Sequence, residues 1–399
     1  MAKFLLTWEL GGGLGHMTRL KPIVRELRRR GHRVALALRI LNSAHAVFGD
    51  LDVEFWQAPF THPSVSLEGI TPATFGQLLA ESDVGFGNYD HLSTSGAAWR
   101  SLFEAERPDV VLFEHSPTAL LASRGFDFRR VLVGSGFSCP PTEPGLPRLR
   151  APADDEETGA RTEARALQNA CRLLEALRLP PIDGLADLYR QVDDTLLCTF
   201  AELDHFGSRP AARYWGSWSD EFGKPFEWPA GEGKKIFGYL KPCPALPALL
   251  QALAASRMPT VVHVDNLDAA TEAKTSTATM RLRREPLNMR QAAAECDLAI
   301  LNAGHGALAA MLLAGKPTFL MPIYQEQWLL AARACQQGSA AFVGFRNVAA
   351  VEPTLQAMLA SNQYGEAARG FAAKYADYDP VHAVDELTSR VETLLAPQA

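Results

Sequence analysis

Two stretches at opposite ends of the chain carry side chains suited to chemistry. Late in the sequence, residues 299–332 read AILNAGHGALAAMLLAGKPTFLMPIYQEQWLLAA. Gly304 and Gly306 stand where an alanine-rich helical pattern begins. A helix N-terminus presents backbone N–H groups and a partial positive charge, and glycines there let the backbone approach an anion. Glu326 and Gln327 follow the next apolar run and can bond hydroxyl groups. A phosphate at the first position and a hydroxyl-rich group at the second would suit a nucleotide-sugar. The plainer alternative is a tight turn followed by a solvated polar loop. Early in the sequence, His16 closes the turn Gly11-Gly12-Gly13-Leu14-Gly15. Imidazole titrates near neutrality, which suits general-base work; alternatively His16 only shapes the turn or touches a phosphate. A third candidate pair, Glu114 and His115, ends the apolar run that starts at Val110. His115 is an alternative base, and Glu114 is read equally well as the cap of a helix starting near Pro117.

The elements that must hold these residues follow from hydrophobic periodicity. Lys3 to Trp8 reads as a strand and Thr18 to Arg30 as a helix, with Leu20, Ile23, Val24 and Leu27 on one face. Gly31 stops that helix, and Val34 to Ile40 is the next strand. Leu298 to Leu301 reads as a strand buried on both faces, Ala307 to Ala314 as a helix stopped by Gly315 and Pro317, and Thr318 to Met321 as the following parallel strand. Such strand–turn–helix units predict an α/β chain with parallel sheets. A glycine turn after the first strand raises a dinucleotide-binding fingerprint, which fails in detail: position 16 is His instead of Gly, and Arg39 stands near the end of the second strand in place of an acid.

Composition narrows the class. The 399 residues suggest two domains; 47% are hydrophobic and 21% charged, as in globular proteins. A net charge of −6 gives no electrostatic reason to expect nucleic acid. Six scattered cysteines, none in a C-x-x-C pair, indicate neither a zinc site nor a disulfide framework and fit free thiols in a reducing compartment. The opening MAKFLLTWELGGG does not read as a signal peptide, and no apolar run is long enough to span a bilayer; a cytoplasmic protein is the expectation.

Taken together, the two stretches resemble the signatures of GT-B glycosyltransferases of the UDP-glycosyltransferase type. Gly13-Leu14-Gly15-His16-Met17-Thr18-Arg19 is similar to the N-terminal GxGLGHxxR form, and Leu27, Arg30, Gly31, His32 and Val34 fit its sequel. At the other end, Gly304 and Gly306 sit on the phosphate turn, Gly315 and Pro317 match G-x-P, and Glu326 with Gln327 match the acid–Gln pair that holds donor-sugar hydroxyls. Two positions depart from the pattern. Asn302 stands where the family usually has a phosphate-binding His, with His305 three residues on, and Ala307 replaces the usual Thr or Ser. Asn can still donate a hydrogen bond; Ala cannot.

The resemblance implies two Rossmann-like doubly wound domains facing across a cleft, with a C-terminal helix crossing back to the first. It places an acceptor-binding domain at 1–216, a linker at 217–233, a nucleotide-sugar-binding domain at 234–378 and the crossover helix at 379–399. The implied activity is transfer of a hexose-type sugar from a UDP- or dTDP-linked donor to a hydroxyl of a small-molecule or lipid acceptor, with inversion and without a metal or other cofactor. A lipid acceptor leaves room for peripheral contact with a membrane surface. His16 would be the base, oriented by Glu114; Gly15, Asn302, Gly304, His305, Gly306, Glu326 and Gln327 would bind the donor. Aromatics among residues 50–100 (Phe55, Trp56, Phe60, Phe75, Phe86, Tyr89 and Trp99) either border an acceptor pocket or are core, and Asp154 to Glu157 reads as the solvated start of a helix. A non-catalytic scaffold of the same fold, supported by Asn302 and Ala307, and a nucleotide-sugar epimerase are the alternatives.

Overall fold

The computed structural model describes residues 1–59, 72–81, 85–150, 156–218 and 223–396. Phe60, Asp154, Asp155 and positions 219–222 of the expected linker lie outside them. The chain divides into two compact units, one of residues 1–199, 210–216 and 381–399, the other of 200–209 and 217–380. Segment 200–209, assigned from sequence to the first domain, therefore packs with the second.

The first unit holds strands β1 (Lys3–Trp8), β2 (Arg33–Leu38), β3 (Glu54–Gln57), β4 (Val110–Glu114), β5 (Arg129–Gly134) and β6 (Asp194–Leu197). The second holds β7 (Ile236–Leu240), β8 (Thr260–Val264), β9 (Met280–Arg283), β10 (Leu298–Leu301), β11 (Thr318–Leu320) and β12 (Ala340–Phe342). Each unit is one six-stranded sheet, ordered β3-β2-β1-β4-β5-β6 and β12-β11-β10-β7-β8-β9, and the pairs β1–β4 and β7–β10 are parallel. Strands covered on both faces need continuous apolar runs, and VVLFE of β4 and LAIL of β10 are buried at every position. In each sheet the order reverses beside its first strand, between β1 and β4 and between β7 and β10. Ligands of doubly wound sheets bind at that point, outside the carboxyl ends of the strands. His16 follows β1 and Glu114 ends β4; Lys241 follows β7 and Asn302 follows β10.

Both glycine turns are shorter than the sequence suggests. The first helix runs Gly15–Arg29 and the late one His305–Leu313. A glycine whose φ stays negative can enter a helix, at an entropic cost; here the left-handed conformation falls on Gly11 and Gly13 and, in the late turn, on Ala303. His16 and His305 thus belong to the first turns of their helices. The closing helix Pro380–Glu392 buries Val384, Leu387 and Val391, and its residues from 381 onward belong to the first unit. There Asp385 accepts from Arg30 at 2.7 Å, Glu392 bonds His32 at 2.7 Å and Arg390 donates to Asp194 at 2.7 Å. Among the described residues no helix is long and apolar enough to cross a membrane.

Candidate active site

At the first switch point His16 and Glu114 meet. Trp8 and Glu114 are partners in the β1–β4 register, so the turn after β1 opens directly beside the end of β4. His16, second in its helix, brings Nδ1 to 2.7 Å from Glu114 Oε2. Arg19, one turn further along the same helix face, donates from Nη1 to Oε1 at 2.8 Å, and Ser138 Oγ donates to Oε1 at 3.2 Å. Glu114 has no exposed surface. Burial pushes its carboxyl up, but His16, through charge and hydrogen bond, and then Arg19 and His115, outweigh that and hold it at about 2. A carboxylate only accepts, so the proton in this bond sits on His16 Nδ1, and in the neutral form of the ring the lone pair is on Nε2.

The imidazole is fixed on other sides too. Its ring lies parallel to that of Trp8, centroids 4.9 Å apart. Gly11 passes so close that an added Cβ would fall 2.5 Å from Nε2. His115 lies parallel at 6.3 Å, but burial first, and then His16 and Arg19, push its imidazole down to about 4 against the opposing pull of Glu114. His115 is thus a poor proton acceptor compared with ordinary imidazole, and its reading as an alternative base loses its support.

The capping reading of Glu114 is corrected by a residue that sequence reasoning passed over. Helix Pro117–Ala122 is capped by Glu9, whose Oε2 accepts from the backbone N–H groups of Thr118 at 3.0 Å and Ala119 at 3.2 Å. Glu9 is buried, and burial raises its carboxyl to about 7 despite the bonds from Thr118, Ala119 and Trp99. Arg19 stood in the N-terminal signature without a role; its spacing of three from His16 was the available signal. Ser138 gave none. Phe75, Phe86 and Trp99 are core residues, whereas Phe55 and Trp56 lie on β3, 39% and 38% exposed. Gly15 opens the His16 helix with open space where a Cβ would stand.

At the second switch point the polar groups come from the end of β10 and the first turns of the two helices that follow β10 and β11. Gly304 is the N-cap of His305–Leu313, and His305 and Gly306 begin it. A Cβ on Gly304 or Gly306 would meet nothing within 4 Å, and the first-turn N–H groups of a helix have no partner within it. His305 is buried. Asn302 ties three strand ends together: its Oδ1 accepts from Lys241 N at 2.6 Å and its Nδ2 donates to Met321 O at 2.7 Å. Those two bonds fix the amide's orientation and use one of its two N–H groups. Gln327 Oε1 accepts from Ile323 N at 2.8 Å and Tyr324 N at 3.2 Å, which caps helix Gln325–Gln336. Glu326, in the same first turn, keeps a third of its side chain exposed. Sequence reasoning missed His205, whose Nε2 lies 3.7 Å from Glu326 Oε1.

Two doubly wound parallel sheets, each with its polar cluster at the switch point, and a C-terminal helix returned to the first unit define the GT-B fold. Solved glycosyltransferase structures share it over nearly their whole length. The glycosyltransferase of kitacinnamycin matches at 16% identity and TM-score 0.71 over 99% of each chain. Spinosyn rhamnosyltransferase SpnG, complexed with spinosyn aglycone, matches at 15% identity and TM-score 0.64 over 99% of this chain and 100% of its own. SsfS6 of Streptomyces sp. SF2575, complexed with thymidine diphosphate, matches at 18% and 0.59 over 98% and 100%. At such identities the likeness establishes the fold. No protein-family model matches the chain, and neither does any curated protein.

Proposed function

We propose that this protein is a nucleotide-sugar-dependent glycosyltransferase that transfers a hexose-type sugar, with inversion, to a hydroxyl of a small-molecule or lipid acceptor. A fold does not give an activity by itself. The observation that carries the reading is the His16–Glu114–Arg19 chain, in which a buried carboxylate with both oxygens engaged fixes the tautomer of an imidazole.

In this reading His16 Nε2 takes the acceptor hydroxyl proton as the oxygen attacks the anomeric carbon. The bond between that carbon and the donor phosphate oxygen breaks, and the nucleoside diphosphate leaves with its electron pair. Glu114 stabilises the imidazolium that forms and does not itself take the proton, because its own carboxyl is held at about 2. The leaving diphosphate is met by the first-turn N–H groups of His305–Leu313 and by its helix dipole, aimed before reaction begins. Gly304 and Gly306 let the phosphate approach, His305 and the second N–H of Asn302 assist, and Glu326 and Gln327 hold the sugar. The reading assigns the charge of the leaving group to backbone and so requires no metal. The thymidine diphosphate bound by SsfS6 supports a dTDP-linked donor.

Thermal unfolding with UDP, dTDP, GDP and their sugars tests it. One nucleotide class should raise the midpoint through its preferential binding to the folded state, and Glu326→Ala should abolish the part due to the sugar. No response to any nucleotide would favour the scaffold reading instead.

A further inference from the structure

The segment that enters the second unit ahead of its first strand is built as a mount. Phe200 and Leu203 are buried in that unit's core. The Phe200 ring packs on those of Phe371, Tyr375 and Tyr378. Glu202 pairs with Lys374 and accepts from the Tyr375 hydroxyl at 2.6 Å, while its carbonyl accepts from Gln337 at 3.0 Å. Asp204 closes the turn that follows: Phe206 N donates to Oδ1 at 3.1 Å, Gly207 N to the backbone oxygen at 3.0 Å, and Arg209 lies 2.9 Å from Oδ2.

His205 is what this mount presents. Its side chain is fully buried, with Nε2 3.7 Å from Glu326 Oε1. Its ring lies 6.1 Å from that of His305, the planes 23° apart. Residues 205, 305 and 326, from three separate parts of the sequence, therefore converge at the carboxyl ends of β10 and β11. The Glu326 carboxylate sits on three rotatable bonds, and fixing it only when a sugar arrives carries an ordering cost. A rigid imidazole N–H beside it removes much of that cost and offers a charge-assisted partner. At 3.7 Å the contact is an ion-pair distance, and such bonds tighten when ligand is bound.

We propose that His205 is a positioning residue for the donor sugar, holding the Glu326 carboxylate where sugar hydroxyls bind. This rests on the glycosyltransferase reading. It is tested by the ratio of affinities for dTDP-glucose and bare dTDP, or for UDP-glucose and UDP if the wild type prefers uridine. His205→Phe keeps a ring and loses the donor; His205→Gln keeps an N–H near the position of Nε2. The Phe variant should lose about tenfold in the ratio, the worth of one charge-assisted hydrogen bond. The Gln variant should keep it, bare-nucleotide affinity should hold in both, and His205→Phe should cost nothing further in a Glu326→Ala background. A wild-type ratio in His205→Phe overturns the assignment. So does an equal fall in both variants together with bare-nucleotide affinity, which marks a packing role. A wild type that gains nothing from the sugar overturns the functional reading and this assignment together, and shows it before any variant is made.

Discussion

The two switch points are the same place in the same topology, filled in opposite ways. Between β1 and β4 the crevice holds a buried anion, Glu114, with a guanidinium on one oxygen and an imidazole on the other. Between β10 and β7 it is bridged by the neutral amide of Asn302, and the helix His305–Leu313 begins beside it. A fixed charge orients a proton carrier and cannot yield without loss. A neutral bridge adds no charge of its own beside the positive end of a helix, the kind of place where anions bind. The difference teaches that one topology can place either a buried charged pair or a neutral amide bridge at its switch point, according to which side chain spans the first strand and its neighbour.

The largest expected effect comes from removing the carrier on the charged side. His16→Ala should lower kcat by roughly 10²- to 10⁴-fold, the usual worth of a general base, with nucleotide-sugar affinity retained. Initial rates at saturating donor and acceptor measure it, and unchanged turnover would break the contrast at its root.

Next is the anion itself. Glu114→Gln leaves Arg19 without its buried countercharge and should cost about 3–5 kcal/mol of stability, read by denaturant unfolding. In the wild type, the depressed carboxyl contributes stability that is present above the unfolded value of 4.5 and lost as pH falls toward about 2. The Gln variant should lack that acid-side slope.

Glu9 sharpens the comparison within the first unit. It is as buried as Glu114 but has neutral hydrogen-bond donors, from backbone and side chain, in place of cations, and its carboxyl is raised to about 7. The native state therefore holds its proton more tightly than the unfolded chain does. Stability should fall as pH rises from 4.5 to about 7, by about 3 kcal/mol. Glu9→Gln should flatten that limb, and pH-dependent unfolding of the two proteins would show it; a slope that persists in the variant would count against this account of Glu9.

The smallest effect separates two kinds of glycine. Gly306→Val meets open space and should change stability by less than about 0.5 kcal/mol, while cutting dTDP affinity about tenfold. Gly11→Ala, at φ +84 and 2.5 Å from His16 Nε2, should do the reverse, costing about 1–3 kcal/mol and turnover with dTDP affinity intact. Calorimetric titration and thermal unfolding of both variants decide it; identical behaviour would mean that the two crevices do not differ as described.

Local sequence determined much of this protein. Strands such as LAIL and VVLFE read as buried on both faces because apolar runs have nowhere else to go. The helix after His16 was visible in Leu20, Ile23, Val24 and Leu27, and the glycines beside His16 and His305 marked both turns. What side chains meet across the sheet was decided by the tertiary structure alone. Glu114 reaches His16 across 98 positions because β4 lies beside β1, and the helix it seemed placed to cap was taken by Glu9 from the other strand. Asn302 and Gln327 looked like ligand groups, and their side-chain oxygens proved to be holding backbone. His205 carried no local signal, since its place beside Glu326 depends on a segment docking into the unit that follows it. Periodicity and turn chemistry act within a few residues and are written along the chain. The partners of a buried polar atom are set by strand order, which brings together groups the sequence keeps a hundred residues apart.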